Sequence, residues 1–164
     1  MGLRKILTDK EPSLHKVCRP VERFDGKLHK LLDDMVETML DAHGVGLAAP
    51  QVGILRRIVV VNTGDEILEL VNPTLLETDG EQLGAEGCLS VPGKYGLVNR
   101  PYYARSVPRT VTATGSKWRV KKSLPAASAT SWIIWTASSI PRSWSASSGM
   151  KNLTSTRTER STLL

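Results

Sequence analysis

The chain has 164 residues and a mass of 17.9 kDa, which suits one globular domain with a core of its own. With 40% hydrophobic and 23% charged residues, it fits neither a disordered nor a membrane-spanning chain. Its two cysteines, Cys18 and Cys88, do not form a disulfide framework, and the sequence near Met1 has no long apolar run. We therefore expect a cytoplasmic protein that does not bind membranes.

The net charge of +6 is unevenly placed along the chain. Residues 1–105 hold 13 Lys and Arg against 15 Asp and Glu, a net charge of −2, whereas residues 106–164 hold 9 against 1, or +8. Serine and threonine number 7 in the first part and 22 in the second, which also contains all 4 tryptophans. Two parts of different composition therefore meet near Arg105, and we treat 1–105 and 106–164 separately.

The first predicted element is an amphipathic helix between Asp25 and Ala42. Asp25 is a typical N-cap residue, and Gly44 is a typical stop signal. Apolar side chains recur at the three- and four-residue spacing of one helix face, at Leu28, Leu31, Leu32, Met35, Val36, Met39 and Leu40.

Short strands are predicted next, at 56–62, 66–72 and 74–83, because β-branched and apolar runs are bounded there by Gly, Asn, Asp or Pro. No helical crossover separates these runs, so the strands are expected to pair antiparallel. One helix followed by closely spaced antiparallel strands predicts an α+β fold.

A glycine-containing loop, "HGVGLAAPQVG" (43–53), is predicted after the helix. Its small residues would let the backbone of a ligand come close. The Gln51 amide is a neutral donor that could stabilise a developing oxyanion. By itself, the stretch is more typical of a helix end and a tight turn than of a site.

A second predicted loop, "GAEGCLSVPGKYG" (84–96), contains Cys88 between Gly87 and a Pro-Gly turn. Such a cysteine is sterically open, which suits a thiolate that binds a metal or attacks an electrophile. An isolated cysteine is more often a small buried apolar residue.

Together, "GVGLAAPQVG" (44–53) and "EGCLSVPG" (86–93) resemble the first two signature motifs of bacterial peptide deformylase. The preceding "LLDDMVETMLDAHG", together with "VNPTLLE" (71–77) and "NRPYYAR" (99–105), extends the resemblance over residues 1–105. Members of this family are metallohydrolases that remove the formyl group from the N-terminal methionine of new polypeptides. They use Fe(II) or a substituting divalent metal such as Zn, Ni or Co.

The resemblance implies that Cys88 is a metal ligand and that the Gln51 side chain and the Leu89 backbone amide are oxyanion donors. Nascent formyl-methionyl polypeptides at the ribosome are the implied partners. The implied contacts to the substrate backbone and to the methionine side chain are Gly44, Val45, Gly46, Glu86 and Gly87.

The family's other two metal ligands are the histidines of an HExxH helix, whose glutamate transfers the proton. This sequence contains no HExxH. Its three histidines, His15, His29 and His43, precede both motifs, and each is expected to be exposed or hydrogen-bonded rather than metal-bound. Cys88 with Gln51 would hold a divalent metal weakly, so the chain is predicted to be inactive.

The segment "ATSWIIWTASS" (129–139) stands about where the family's HExxH helix is expected. If residues 130–138 are encoded ACG AGC TGG ATC ATC TGG ACG GCA TCC after a codon ending in C, the frame one base earlier reads HELDHLDGI. The hypothesis is a frameshift after Arg105, which predicts that residues 106–164 lack the central metal-binding helix and a nucleic-acid function. Two alternatives remain open: an active deformylase whose C-terminal sequence is a sequencing error, and a non-catalytic peptide-binding module.

Overall fold

A computed structural model describes residues 2–100 and 102–109. In chain order these residues form the 3₁₀ helix Pro12–His15, α1 (Gly26–Asp41), β1 (Gly46–Ala48), the 3₁₀ helix Ala49–Val52, β2 (Ile58–Asn62), β3 (Ile67–Asp79), β4 (Gln82–Cys88), β5 (Val91–Arg100) and β6 (Tyr103–Arg109). The predicted α+β class is confirmed. No helix within the described ranges has the length and apolar character needed to cross a membrane. The predictions for the region from 110 onward, including the missing metal-binding helix, concern residues outside the described part.

The helix α1 begins and ends close to its predicted bounds. The Asp25 carboxylate accepts hydrogen bonds from the backbone N–H groups of Lys27 and Leu28, at 3.1 and 3.2 Å, as an N-cap does. At the other end, the residue in the left-handed conformation is His43, with φ of 51°, rather than the predicted stop residue Gly44. The Gly44 N–H donates to the Met39 carbonyl and the His43 N–H to the Leu40 carbonyl, which is a Schellman motif.

The strands form two antiparallel sheets, as predicted. A four-stranded sheet has the order β1-β2-β3-β6, and β4 pairs with β5 in a separate two-stranded sheet. The strand β6 crosses the proposed boundary at Arg105 and continues to Arg109. That boundary stays a prediction.

The prediction of two separate strands at 66–72 and 74–83 is wrong. One strand, β3, runs through both segments, and the expected break is a bulge between Val71 and Thr74. Asn72 occupies this bulge with φ of 50°, and its side chain pairs with both backbone groups of Val21, each at 2.8 Å. Asn72 and Pro73, which the sequence predicts as the boundary between two strands, therefore interrupt the strand pairing without ending the strand. The chain turns later, at Gly80 between β3 and β4.

The apolar face of α1 packs against the four-stranded sheet and forms the main core. Leu32, Met35 and Met39 on the helix are at most 1% exposed, as are Ile58 and Val60 on β2. Val59 and Val61, which alternate with these residues along β2, form a second buried cluster with Ala48 and Leu70 on the opposite face of the sheet. Because both faces of β2 are buried, β1, which pairs with it, has a rigid support.

The N-terminal segment is held on α1 by the buried carboxylate of Asp34. Its oxygens accept from the Gly2 N–H and the Arg4 guanidinium, both at 3.0 Å, and from the Lys30 ammonium at 3.3 Å. Burial by itself would raise the pKa of Asp34, but these hydrogen bonds hold that pKa below its usual value. The carboxylate therefore stays charged in the folded protein and fixes the chain that precedes the helix.

Candidate functional site

The two motif-bearing segments meet at a cavity of about 380 Å³. Residues 42–46 form one wall, residues 87–89 and 91–95 form the other, and Gln51 lies between them. Neither segment is the loop that the sequence predicts. The first contains β1 and the 3₁₀ helix Ala49–Val52, and the second is the hairpin formed by β4 and β5. Hydrogen-bonded backbone therefore holds both walls of the cavity.

Gln51 is fixed by contacts with three other parts of the chain. Its side-chain oxygen accepts from the Ala48 N–H at 2.9 Å, and its backbone carbonyl accepts from the Leu7 N–H at 2.8 Å. Its amide nitrogen donates to the Ser90 hydroxyl at 3.1 Å and lies 3.8 Å from the Cys88 sulfur. The structure thus brings the predicted oxyanion donor next to the predicted metal ligand.

Cys88 is the last residue of β4, and the two-residue turn to β5 follows it directly. Burial raises its pKa above the usual value of a thiol. Hydrogen bonds from the Ser90 and Val91 N–H groups and from the Ser90 hydroxyl lower this pKa in part, whereas the nearby Asp9 carboxylate raises it. The thiol is therefore protonated at neutral pH in this state of the protein. A metal ion binds the thiolate and would have to displace that proton.

Ser90 is a functional candidate that sequence reasoning missed. It is buried, accepts from Gln51, and donates toward Cys88 through its hydroxyl, so it links the two predicted site residues. Its backbone carbonyl also accepts from the Asp9 N–H at 2.9 Å. The signal that could have found it is its position two residues after Cys88 within the quoted motif.

Gly44 and Leu89 lie on opposite walls of the cavity, close to each other. A Cβ atom on Gly44 would lie 2.6 Å from the Leu89 side chain and 3.3 Å from the Met39 carbonyl oxygen. A side chain at position 44 would therefore require the end of the Leu89 side chain to shift. The Leu89 backbone amide, the second predicted oxyanion donor, lies in the turn between β4 and β5, next to Cys88.

The predicted substrate contacts are distributed along the cavity. Gly46 is buried, whereas Val45 is 46% exposed and lines the cavity, as does Gly87. Glu86 is half-buried on β4, where it pairs with Gly96, and is not among the cavity residues. The geometry thus places four of the five predicted contacts, Gly44, Val45, Gly46 and Gly87, around one space.

A divalent metal does not fit the side chains of this site. Within the described ranges, no group of three or more His, Cys, Asp or Glu side chains is placed to hold a metal ion. All three histidines are exposed, and only His43 lines the cavity. In the sequence from 110 onward, the only residue of these four types is Glu159. Cys88 and His43, the two residues of these types that line the cavity, are fewer than the three or so protein ligands of a hydrolytic metal site.

The cavity also adjoins the edge of a strand. β1 lies at the edge of its sheet as far as the chain is described, and the cavity adjoins that edge. An edge strand offers backbone N–H and C=O groups to an added strand. An amide donor at the inner end of the cavity can meet a carbonyl group of such a ligand.

Comparison with known proteins places this geometry in a family. The family model for polypeptide deformylase matches residues 3–116. The peptide deformylase of Agathobacter rectalis is 56% identical over 106 residues, which cover 65% of this chain and 67% of that protein. Peptide deformylase 1 of Bacillus subtilis is 51% identical over 107 residues, covering 64% and 67% of the two chains.

Solved structures agree with these relatives. The crystal structure of a peptide deformylase from Legionella pneumophila matches with a TM-score of 0.65 and 44% identity, over 66% of each chain. The peptide deformylase from Synechococcus elongatus, solved in complex with actinonin, matches with a TM-score of 0.65 and 32% identity, over 69% of this chain and 63% of that one. From sequence and fold alike, this chain belongs to the peptide deformylase family.

Proposed function

We propose that this chain is a deformylase-like protein that does not hydrolyse formyl-methionyl peptides. The observation that carries the proposal is the set of possible ligands: the only metal-ligating residue types that line the cavity are Cys88 and the exposed His43, and the described residues contain no group of three. The family reaction is metal-dependent, and the metal ion would supply the water-derived nucleophile that attacks the formyl carbon. With one thiol and an amide, chelation is too weak to hold Fe(II), Zn, Ni or Co at cellular concentrations.

Metal content and turnover test this proposal on the purified full chain. After addition of Fe(II) under anaerobic conditions, or of Ni or Co, and desalting, we expect less than about 0.1 metal ion per chain, as chelation requires several donors. No formate should be released from a formyl-Met peptide. The Cys88→Ser variant is the matched control and should retain as little metal as the parent. Stoichiometric metal lost in Cys88→Ser, or formate release above the control, would overturn the proposal.

The frameshift hypothesis explains why the ligands are absent. It rests on the one-base offset that turns the codons of 130–138 into HELDHLDGI, on the composition change near Arg105, and on the lack of histidine after His43. Sequencing the coding DNA tests it. A codon set that destroys the HELDH frame refutes it. A corrected DNA sequence that reads HELDH in frame would instead support the alternative of an active enzyme, with a sequencing error in this chain.

Peptide binding without turnover is the second candidate function. Two observations support this candidate: β1 pairs on one side only within the described part of the chain, and the cavity lies beside it. The ligands would be nascent formyl-methionyl polypeptides in the cytoplasm, as in the family, with the methionine side chain near Val45 and Gly87. Contact with the ribosome is part of the same proposal.

A fluorescent formyl-Met peptide tests this second function by anisotropy. The Val45→Asp variant places a carboxylate on the apolar wall and should weaken binding at least about ten-fold. The matched control is Val17→Asp, because Val17 is 76% exposed and does not line the cavity. Equal affinity of both variants would place the peptide elsewhere on the protein.

A further inference from the structure

The two strands of the β4–β5 hairpin are unequal in length, and the excess residues lie at the cavity. Cys88 pairs with Val91, and the preceding Gly87 pairs with Tyr95, so the three residues 92–94 have no partner in β4. Gly93 adopts φ of 74° inside this bulge. Bulges re-aim side chains and are common beside binding sites. We name residues 92–94 the hairpin bulge.

The hairpin bulge brings a positive charge to the cavity. All three of its residues line the cavity, and the last of them is Lys94, whose side chain is exposed. On the opposite wall, the exposed His43 is held at its position by the end of α1. None of the residues that line the cavity is Asp or Glu. Lys94 is therefore the only Lys or Arg among the described residues that line the cavity, and the carboxylate that acts on the Cys88 thiol, Asp9, is not among the lining residues.

The exposure of the wall gives the direction of a bound peptide. On this wall His43 and Val45 are exposed, Ala42 and Gly44 are partly buried, and Gly46 is buried, so Gly46 marks the most enclosed end of the wall. A formyl group next to Gln51 and Cys88 lies at the inner end. An extended chain rises about 3.3 Å per residue, so the residues after the methionine reach the level of His43 within about three positions.

We propose that Lys94, with His43 across the entrance, selects peptides that have acidic side chains at the second and third positions. This inference depends on the proposed peptide binding. The Lys94 ammonium supplies the charge, and an imidazole N–H of His43 supplies a hydrogen bond to the carboxylate. The hairpin bulge acts as a specificity element, since it alone places a cation beside the cavity from this wall.

Three fluorescent formyl-Met peptides that differ only at positions two and three test the proposal with the full chain. These positions are Glu-Glu, Gln-Gln or Lys-Lys, and affinity is measured by anisotropy at low salt. We expect the Glu-Glu peptide to bind up to about five-fold more tightly than Gln-Gln, the range of an exposed ion pair. This ratio should fall in 0.5 M NaCl because salt screens exposed charges.

Variants assign the selectivity to the hairpin bulge. Lys94→Gln should bring the ratio close to one, and Lys94→Glu should make Lys-Lys the preferred peptide. Lys27→Gln makes the same charge change at the far end of α1, about 24 Å away for a 16-residue helix, and should keep the parent ratio. Equal binding of all three peptides overturns the selectivity and leaves the peptide-binding proposal standing. If none of the peptides binds, both are overturned.

Discussion

Replacing Gly44 by alanine would require the Leu89 side chain on the opposite wall of the cavity to move. The new Cβ would lie 2.6 Å from the Leu89 side chain, whereas carbon atoms in contact are separated by about 3.5 Å. The Met39 carbonyl oxygen at 3.3 Å blocks a compensating shift of the new methyl group. Overpacking of this kind costs about 1–3 kcal/mol. Against it stands a gain of about 0.4–1 kcal/mol, because alanine reduces the conformational entropy of the unfolded chain.

Urea denaturation followed by far-UV circular dichroism measures the effect. We expect Gly44→Ala to lower the free energy of unfolding by about 0.5–2 kcal/mol, the difference between these two contributions. The Leu89→Ala variant removes the atoms that clash, so the same Gly44→Ala change in that background should be neutral or stabilising. The coupling energy of the two changes should then be about 1–3 kcal/mol. Additive effects of the two changes would refute the claim that a side chain at position 44 requires Leu89 to move.

Three further changes test other parts of the fold by the same urea assay. His43→Gly should raise the free energy of unfolding by about 0.5–1 kcal/mol because glycine adopts positive φ without strain; a decrease would contradict this. Asn72→Ala should lower it by about 2 kcal/mol through two lost hydrogen bonds to Val21, and Asn72→Gly should cost less, since it relieves the backbone; equal losses would argue against strain. The lowered pKa of Asp34 predicts stability that is present above the unfolded-state pKa, about 3.9, and lost as pH falls through the folded-state pKa. Asp34→Asn should flatten this part of the pH profile, and an unchanged profile would exclude the carboxylate as its cause.

The sequence predicted local features well where one residue decides the structure. Asp25 caps α1 because its short carboxylate reaches two backbone N–H groups, and this depends on no distant contact. The prediction of a strand end at Asn72 is wrong, because the pairing of Asn72 with Val21, 51 residues away, holds the bulge in place and the strand continues beyond it. The preference of Asn and Pro for turns can be read from the local sequence, whereas the hydrogen bonds to Val21 are known only from the fold.

The site shows the same division. The motifs identify Gln51 and Cys88 as candidate site residues, and in the structure the Gln51 amide nitrogen lies 3.8 Å from the Cys88 sulfur. Ser90 was not found, because its importance comes from burial and from a contact with Gln51, which is 39 positions away in sequence. The hairpin bulge was likewise hidden, since a register difference between two strands has no signal in the order of the residues.

The contact between Gln51 and Ser90 also bears on how a ligand enters. The Gln51 amide is engaged before any ligand arrives, because its nitrogen already donates to the Ser90 hydroxyl. The amide nitrogen carries two N–H groups, and the second lies near the Cys88 sulfur at 3.8 Å. An entering carbonyl oxygen must therefore replace either the Ser90 hydroxyl or this weaker sulfur contact, so one hydrogen bond is exchanged for another and the net gain is small. Affinity must then come from the apolar and backbone contacts elsewhere in the cavity. The Gln51 amide therefore favours peptides whose carbonyl oxygen is aligned with it. A peptide that is not aligned leaves the hydrogen bond between Gln51 and Ser90 unbroken.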